Sequence, residues 1–312
     1  MSRRNNRPKP DYLIARSQNR YTDYNVREGA ELLPFLIEKV TNGSRQKAKY
    51  LLTNRCVLIG KNIITQYNFK LEPGMVVQIS KQKNHHEFKH PQLQILYEDA
   101  YLIVIKKKEG LLAVATETQK ERTAQHILTD YVRRSNPRGR VFVVHRLDRA
   151  TSGIMMFAKD EKTQYTLRDN WHQIVYDRRY VAVVEGEMEQ NQGVVRSYLS
   201  DHGMHVVSSP EDDGTGKLAV THFRTIRRGN GCSLVELQLE TGRKNQIRVH
   251  MKDLGHLIVG DRRYGAMSDP LGRMCLHAFK LCFWHPVTRE RMEFEEEYPA
   301  RFKGLTVDNR QQ

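Results

Sequence analysis

From Leu93 onward the chain is a series of short β-prone runs that do not alternate regularly with helices. LQILYEDAYLIVIKK holds two runs split at Glu98-Asp99, and VFVVHRLD, GIMMFAK, YVAVVEG, HFRTIRR, CSLVELQLE and QIRVHM follow. Between them only TAQHILTDYVRR and EKTQYTLRDNWHQIV carry a helical pattern. A doubly wound parallel fold needs strands and helices to take turns. This order excludes it and predicts an α+β domain built on a mixed sheet with flanking helices and loops. The 312 residues leave room for a smaller second domain.

That second domain is expected before residue 81. LLPFLIEKV places Leu32, Leu33, Leu36, Ile37 and Val40 on one helical face, and Asn42-Gly43 stops it. Ser44 can cap a second helix, SRQKAKYLLTN, with Ala48, Leu51 and Leu52 inward. Two β-prone runs split by Gly60-Lys61 follow, then a Pro-Gly turn and a further strand in LEPGMVVQIS. The segment is also where the charge lies. Residues 1–90 hold 17 Lys/Arg against 7 Asp/Glu, so they supply +10 of a net +15. Such a surface attracts polyanions, with RNA, DNA and anionic membrane as the candidates. Arg45, Lys47, Lys49, Arg55 and Lys61 are the candidate RNA contacts, although Lys47 and Lys49 fall on different sides of their helix.

Much chemistry is excluded by absence. No GxxxxGK[ST] loop, GxGxxG after a strand, HExxH or GxSxG occurs. Cys56, Cys232, Cys275 and Cys282 form no CxxC pair, which argues against a zinc ribbon or a disulfide scaffold. No apolar run approaches the roughly 20 residues that span a membrane, and the N-terminal residues show no secretory pattern. A reduced, cytoplasmic protein without cofactor or metal is expected.

Two polar clusters remain. His145-Arg146-Leu147-Asp148-Arg149-Ala150-Thr151-Ser152-Gly153 lies between two apolar runs, so its polar groups are gathered at one end of a sheet. A carboxylate between two arginines is favoured in its charged form and can serve as nucleophile or base. A salt-linked hairpin turn is the plainer reading. In the second cluster, Thr241 to His250, strand alternation would send Gln246, Arg248 and His250 to one face. Arg248 could then pair with a carboxylate across the sheet, or the run could be a protected edge strand.

HRLDRATSGIMMFAK resembles the central motif of the RluA-type pseudouridine synthases, and TGRKNQIRVHMKDLGHLIVGDRRYG resembles their later motif. LYEDAYLIVIKKKEGLL, RRYVAVVEG and CLHAFKLCFWHP resemble three further family segments in the same order. SRQKAKYLLTNRCVLIGKNI resembles the core of the small α-L RNA-binding domain first known from a ribosomal protein. The resemblance implies an isomerase that converts uridine to pseudouridine. It makes Asp148 the catalytic aspartate, Tyr180 the tyrosine that packs on the base and Arg248 the partner of the aspartate. Arg146 would fill the space left by the flipped base, Leu276 would floor the pocket, and His145 would belong to the substrate contacts. Lys107-Lys108, Lys244-Asn245 and Arg178 stand where the family has Lys-Pro, Thr-His and lysine.

The implied layout is a flexible basic arm (1–20), an α-L module (21–80), a linker (81–91), a catalytic domain (92–305) and a tail (306–312). The implied substrate is large-subunit ribosomal RNA, handled by a monomer. A transfer-RNA synthase of the same family and an inactive ribosome-assembly factor are the alternatives.

Overall fold

The computed structural model describes residues 21–53, 56–60, 62–80, 88, 90–116, 122–134, 136–203 and 205–307. The expected basic arm, Arg55, Lys61 and most of the expected linker and tail lie outside them. The chain divides into two units, one holding the residues up to 89 with two short later segments, the other nearly all the rest.

In the first unit the elements are β1 (Tyr21–Asn25), β2 (Ala30–Glu31), α1 (Leu32–Phe35) running into a π turn (Leu36–Val40), α2 (Arg45–Thr53), β3 (Val57–Ile59), β4 (Asn62–Ile63), β5 (Lys70–Leu71) and β6 (Val76–Ser80). An antiparallel sheet in the order β1-β6-β3-β4 backs the helices, and β2 pairs with β5. Leu32, Leu36, Ala48, Leu52, Val57 and Val77 form its apolar centre. Asn42 and Gly43 take positive φ and end the first helix. The Ser44 hydroxyl then accepts the Lys47 N–H at 3.3 Å, the expected cap. Strand β1 was not expected: none of its side chains is buried, so it shows no apolar alternation.

The second unit is organised on an 11-stranded sheet. Its elements are β7 (Leu93–Glu98), β8 (Leu102–Lys107), α3 (Ala124–Arg133), β9 (Phe142–Val143), β10 (Ser152–Ala158), α4 (Glu161–Asp169), α5 (Trp171–Ile174), β11 (Val175–Glu185), β12 (Gln192–His202), β13 (His205–Ser209), β14 (Lys217–Gly229), β15 (Cys232–Leu239), α6 (Gln246–Asp253), β16 (Leu276–Trp284), β17 (Arg291–Glu295) and α7 (Ala300–Leu305). The strand order is β13-β12-β14-β15-β11-β16-β10-β8-β7, with β17 also on β16 and β9 also on β10. Among the described strands, β10 and β16 are the one parallel pair. The α+β class with a mixed sheet therefore holds. Among the described residues no helix is long and apolar enough to cross a membrane.

Glycine 153 explains how β10 starts. Its φ is +123°, and a Cβ there would lie 2.2 Å from the Ala278 carbonyl oxygen. Only glycine admits that approach, which draws the end of the polar loop against β16.

Two expected strands differ. VFVVHRLD supplies only Phe142–Val143, and the rest is loop. QIRVHM is not a strand but part of helix α6. Six consecutive residues, Gln246 to Met251, are buried there. Ile247 and Met251 enter one apolar cluster and Val249 another, so no polar stripe marks the helix. The expected shared face of Gln246, Arg248 and His250 is corrected accordingly. Gln246 and His250, four apart, both bond the Thr221 hydroxyl, at 2.9 and 2.8 Å, while Arg248 points elsewhere.

Candidate active site

The loop from Val144 to Thr151 joins β9 to β10 and carries the first polar cluster. Leu147 is buried and pins the loop from below, leaving Arg146 exposed and the Asp148 side chain 25% exposed. The Thr151 N–H donates to the Asp148 carbonyl at 3.1 Å, closing a tight turn. Next to it, the Gly110 N–H donates to the Arg149 carbonyl at 2.8 Å and Arg149 Nε to the Gly110 carbonyl at 3.0 Å.

Underneath sits Lys107, the last residue of β8 and fully buried. Its Nζ donates to the carbonyls of Lys108, Leu111 and Arg149 at 3.1, 2.8 and 3.4 Å. All three protons of an ammonium are thereby used. Burial lowers its pKa to about 8, against the opposing pull of Asp148 and Glu109. The loop carrying Asp148 is thus tied to β8 by a charged group that no solvent reaches.

Arg248 approaches Asp148 from α6, with Nη1 3.6 Å from a carboxylate oxygen. It also makes a bidentate pair with Asp261, at 2.7 Å from Nε and 2.7 Å from Nη2. Nη1 donates to Asn245 Oδ1 at 3.0 Å, and Asn245 Nδ2 donates to the Tyr264 hydroxyl at 3.1 Å. Arg248 and Asp261 are 7% and 3% exposed, so the pair is desolvated and geometrically fixed. Asn245 opens the helix at φ +55°, a conformation asparagine tolerates. Gln246 locks the turn: its Oε1 accepts from the Arg243 N–H and the Thr241 hydroxyl at 2.9 and 2.8 Å.

Tyr180 on β11 lies opposite Leu237 on one side and Ala278 on the other. Burial pushes its phenol pKa up, Arg178 draws it back, and Asp148 adds to the rise. Tyr180, Leu276, Leu239, Ile247 and Arg248 surround Asp148 in a cavity of about 70 Å³. The cavity shares Arg146 and Asp148 with two larger clefts, of about 610 and 520 Å³. Asp148 therefore stands where three cavities meet.

His145 lies outside the small cavity and lines the 520 Å³ cleft. Its Nε2 accepts the Met156 N–H at 3.0 Å, and its ring lies against Trp171, centroids 4.9 Å apart. Burial, reinforced by Arg178, lowers its pKa to about 3, so it is neutral at physiological pH and occupied structurally.

The sequence profile for RNA pseudouridylate synthases matches residues 101–253. The uncharacterised RNA pseudouridine synthase YjbO of Bacillus subtilis is 37% identical over 213 residues, 68% of this chain and 75% of that protein. The ribosomal large subunit pseudouridine synthase D of Zymomonas mobilis is 32% identical over 300 residues, 88% of this chain and 93% of that protein. The chain belongs to the RluA-type RNA pseudouridine synthases. Among solved structures, human RNA pseudouridylate synthase domain containing 4 superposes with a TM-score of 0.55 at 25% identity, covering 68% of this chain and 90% of that one.

The synthase is an isomerase, and its fold brings Asp148, Tyr180, Arg248, Arg146 and Leu276 to one place. Of the candidate RNA contacts in the first unit, Arg45 and Lys47 are exposed and Lys49 is partly so. Sequence reasoning missed Asp261 as the main partner of Arg248 and Lys107 as the tie under the loop. Both lay inside quoted motifs, GDRRYG and LIVIKKKEG, but only spatial proximity reveals what they bind.

Proposed function

We propose that this synthase isomerises specific uridines of large-subunit ribosomal RNA, acting as a cytoplasmic monomer. The observation that carries the reading is Asp148 at the junction of the clefts, 3.6 Å from a buried arginine and beside Tyr180. The reaction breaks the bond from ribose to a uracil nitrogen, turns the base and rejoins it through a ring carbon. No atoms are gained or lost, so the chemistry asks for no cofactor. A base cannot turn inside a helix and must first leave the stack.

In this reading Arg146, exposed at the cleft mouth, fills the gap left by the base. Tyr180 packs on the base and Leu276 floors its pocket. Asp148 acts either by attack on the sugar or by taking a sugar proton. Arg248 aims the carboxylate and stabilises its charge. Neutral His145 shapes the wall. The N-terminal unit, an α-L-like module, adds affinity through Arg45, Lys47 and Lys49, with Arg55 and Lys61 as further contacts. The reach of the synthase D relative, 93% of its length, supports ribosomal RNA as the substrate.

The test is a transcriptome-wide pseudouridine map of cells with the gene, without it, and with an Asp148→Asn allele. Ribosomal sites that only the wild-type allele restores are the expected result. Loss confined to transfer RNA would transfer the proposal to that substrate. A full set of sites made by Asp148→Asn would end the assignment of Asp148.

A further inference from the structure

The 520 Å³ cleft is not accounted for by the target base. It runs from Asp148 and Tyr180 to a wall made of Trp171 and Arg178. We propose that this wall is a subsite for the nucleotide adjacent to the target uridine, holding its base against Trp171 and Arg178 and its phosphate on Arg178 and Arg146.

Four observations carry this. First, the cleft shares Arg146, Asp148 and Tyr180 with the small cavity and, unlike the 610 Å³ cleft, reaches Tyr180, so it offers a strand a path to the base pocket. Second, five cationic side chains line the cleft against one carboxylate, Asp148 itself. Third, among the described residues neither Arg146 nor Arg178 has a carboxylate partner. Arg178 makes one long hydrogen bond, to the Glu240 carbonyl at 3.5 Å. Arg168, Arg243 and Lys244 are by contrast already engaged, by Asp169, the Leu218 carbonyl and Asp201. Burial lowers the pKa of Arg178, against the opposing pull of Tyr180. Fourth, Trp171 is only partly buried and its indole N–H has no partner among the described residues. Its ring is held from one direction by neutral His145, and the Arg178 guanidinium carbon lies 5.6 Å from its centroid.

An aromatic ring beside unpaired guanidinium groups suits a nucleotide better than a peptide or a free anion. The base has a π-face for the ring and the guanidinium plane, and the phosphate accepts bidentate hydrogen bonds. The choice of arginine at 178 is then explained. A lysine there would supply charge but no plane. Trp171 is positioned by chain geometry: Asn170 ends α4 and α5 begins at once, leaving the indole at the turn.

The proposal rests on the pseudouridine synthase reading, and the experiment separates the two. The probes are a nine-nucleotide single-stranded RNA with one central uridine among adenosines, and two versions with an abasic site on one or the other side of it. The chain has two tryptophans, so Trp284→Phe leaves Trp171 as the sole reporter in otherwise intact protein. The intact RNA is expected to quench its fluorescence, and one abasic version to quench it much less. Trp171→Ala should weaken binding of the intact RNA roughly 5- to 150-fold, with little effect on that abasic version. Unquenched fluorescence on saturation overturns the subsite even if Trp171→Ala fails to fold. An equal loss on all three RNAs overturns it too. Failure of Asp148-dependent conversion would strike the catalytic reading instead, because quenching requires no turnover.

Discussion

Two carboxylates face Arg248, and the structure assigns them opposite energetic roles. Asp261 is 3% exposed and bidentate at 2.7 Å, whereas Asp148 is 25% exposed and 3.6 Å away. Removing one member of a buried pair leaves its partner desolvated and uncompensated, at a cost of about 3–5 kcal/mol. Asp261→Asn keeps the shape but loses the charge and turns an amide N–H₂ toward guanidinium donors. For a domain of this size each kcal/mol moves Tm by about 2–4 °C, so the variant should melt roughly 6–20 °C lower. Asp148→Asn removes a partly solvated partner at long range, worth about 0–1 kcal/mol, and should melt within about 4 °C of wild type. Activity should order the other way. Asp148→Asn abolishes release of tritium from RNA labelled at C5 of uridine. Asp261→Asn, assayed where it is folded, retains a reduced rate, because Arg248 is misaimed by a fraction of an ångström and not removed. Urea unfolding and calorimetry supply the stabilities. A stability change under 1 kcal/mol in Asp261→Asn, or an equally large loss in Asp148→Asn, would refute this division of labour.

Other consequences follow from the charges. Asp148→Asn should bind RNA within about tenfold of wild type, since phosphate contacts dominate affinity; filter binding at fixed salt checks this. Lys107 has a folded pKa near 8 against 10.5 unfolded, so the unfolded chain holds more protons between those values. Its contribution makes the protein more stable as pH rises from 8 to 10.5. Lys107→Met should remove that slope in urea titrations and lower kcat by loosening the Asp148 loop. His145 and His250 have pKa values lowered to about 3 and 4, so stability from their neutral forms is complete above pH 6.5 and lost as pH falls toward those values. His250→Gln, which keeps polar contacts to Ser197 and Thr221 without titrating, should lose stability less steeply between pH 6.5 and 4.

The legibility of the chain tracks how each segment is buried. β8 and β10 carry long apolar runs covered on both faces and were readable as strands. α2 was readable from its stripe of Ala48, Leu51 and Leu52 and its Ser44 cap. β12 and β13 were missed because exposed Val194 and Val207 and scattered polar residues blur the alternation. Helix α6 was misread for the opposite reason: buried nearly all round, it shows neither a helical stripe nor a true alternation. At the site, Asp148 and Arg248 were legible as residue types in dense polar clusters. That Arg248 is held mainly by Asp261 was not, because a hydrogen-bond fork is set by tertiary distance and leaves no local pattern.

The arginines around Asp148 show how one residue type serves both architecture and substrate. Arg248 and Arg273 are spent internally. The first grips Asp261; the second pairs with Glu109 at 2.5 Å and donates to Ser152 Oγ at 2.8 Å, which is itself 2.8 Å from His277 Nδ1. Those bonds tie the start of β10 to β16 from the side opposite Lys107. The loop is therefore fixed by charges already neutralised within the fold. Arg146 and Arg178 have no such partners among the described residues, and both line the cleft beside Tyr180. An unpaired cation on a preorganised wall costs stability until an anion arrives, and that cost becomes binding energy when a phosphate replaces water. Rigidity under Asp148 and unmet charge beside it are thus complementary. In the reaction proposed above, the first keeps the carboxylate aimed while the base turns, and the second holds the strand from which the base has been drawn.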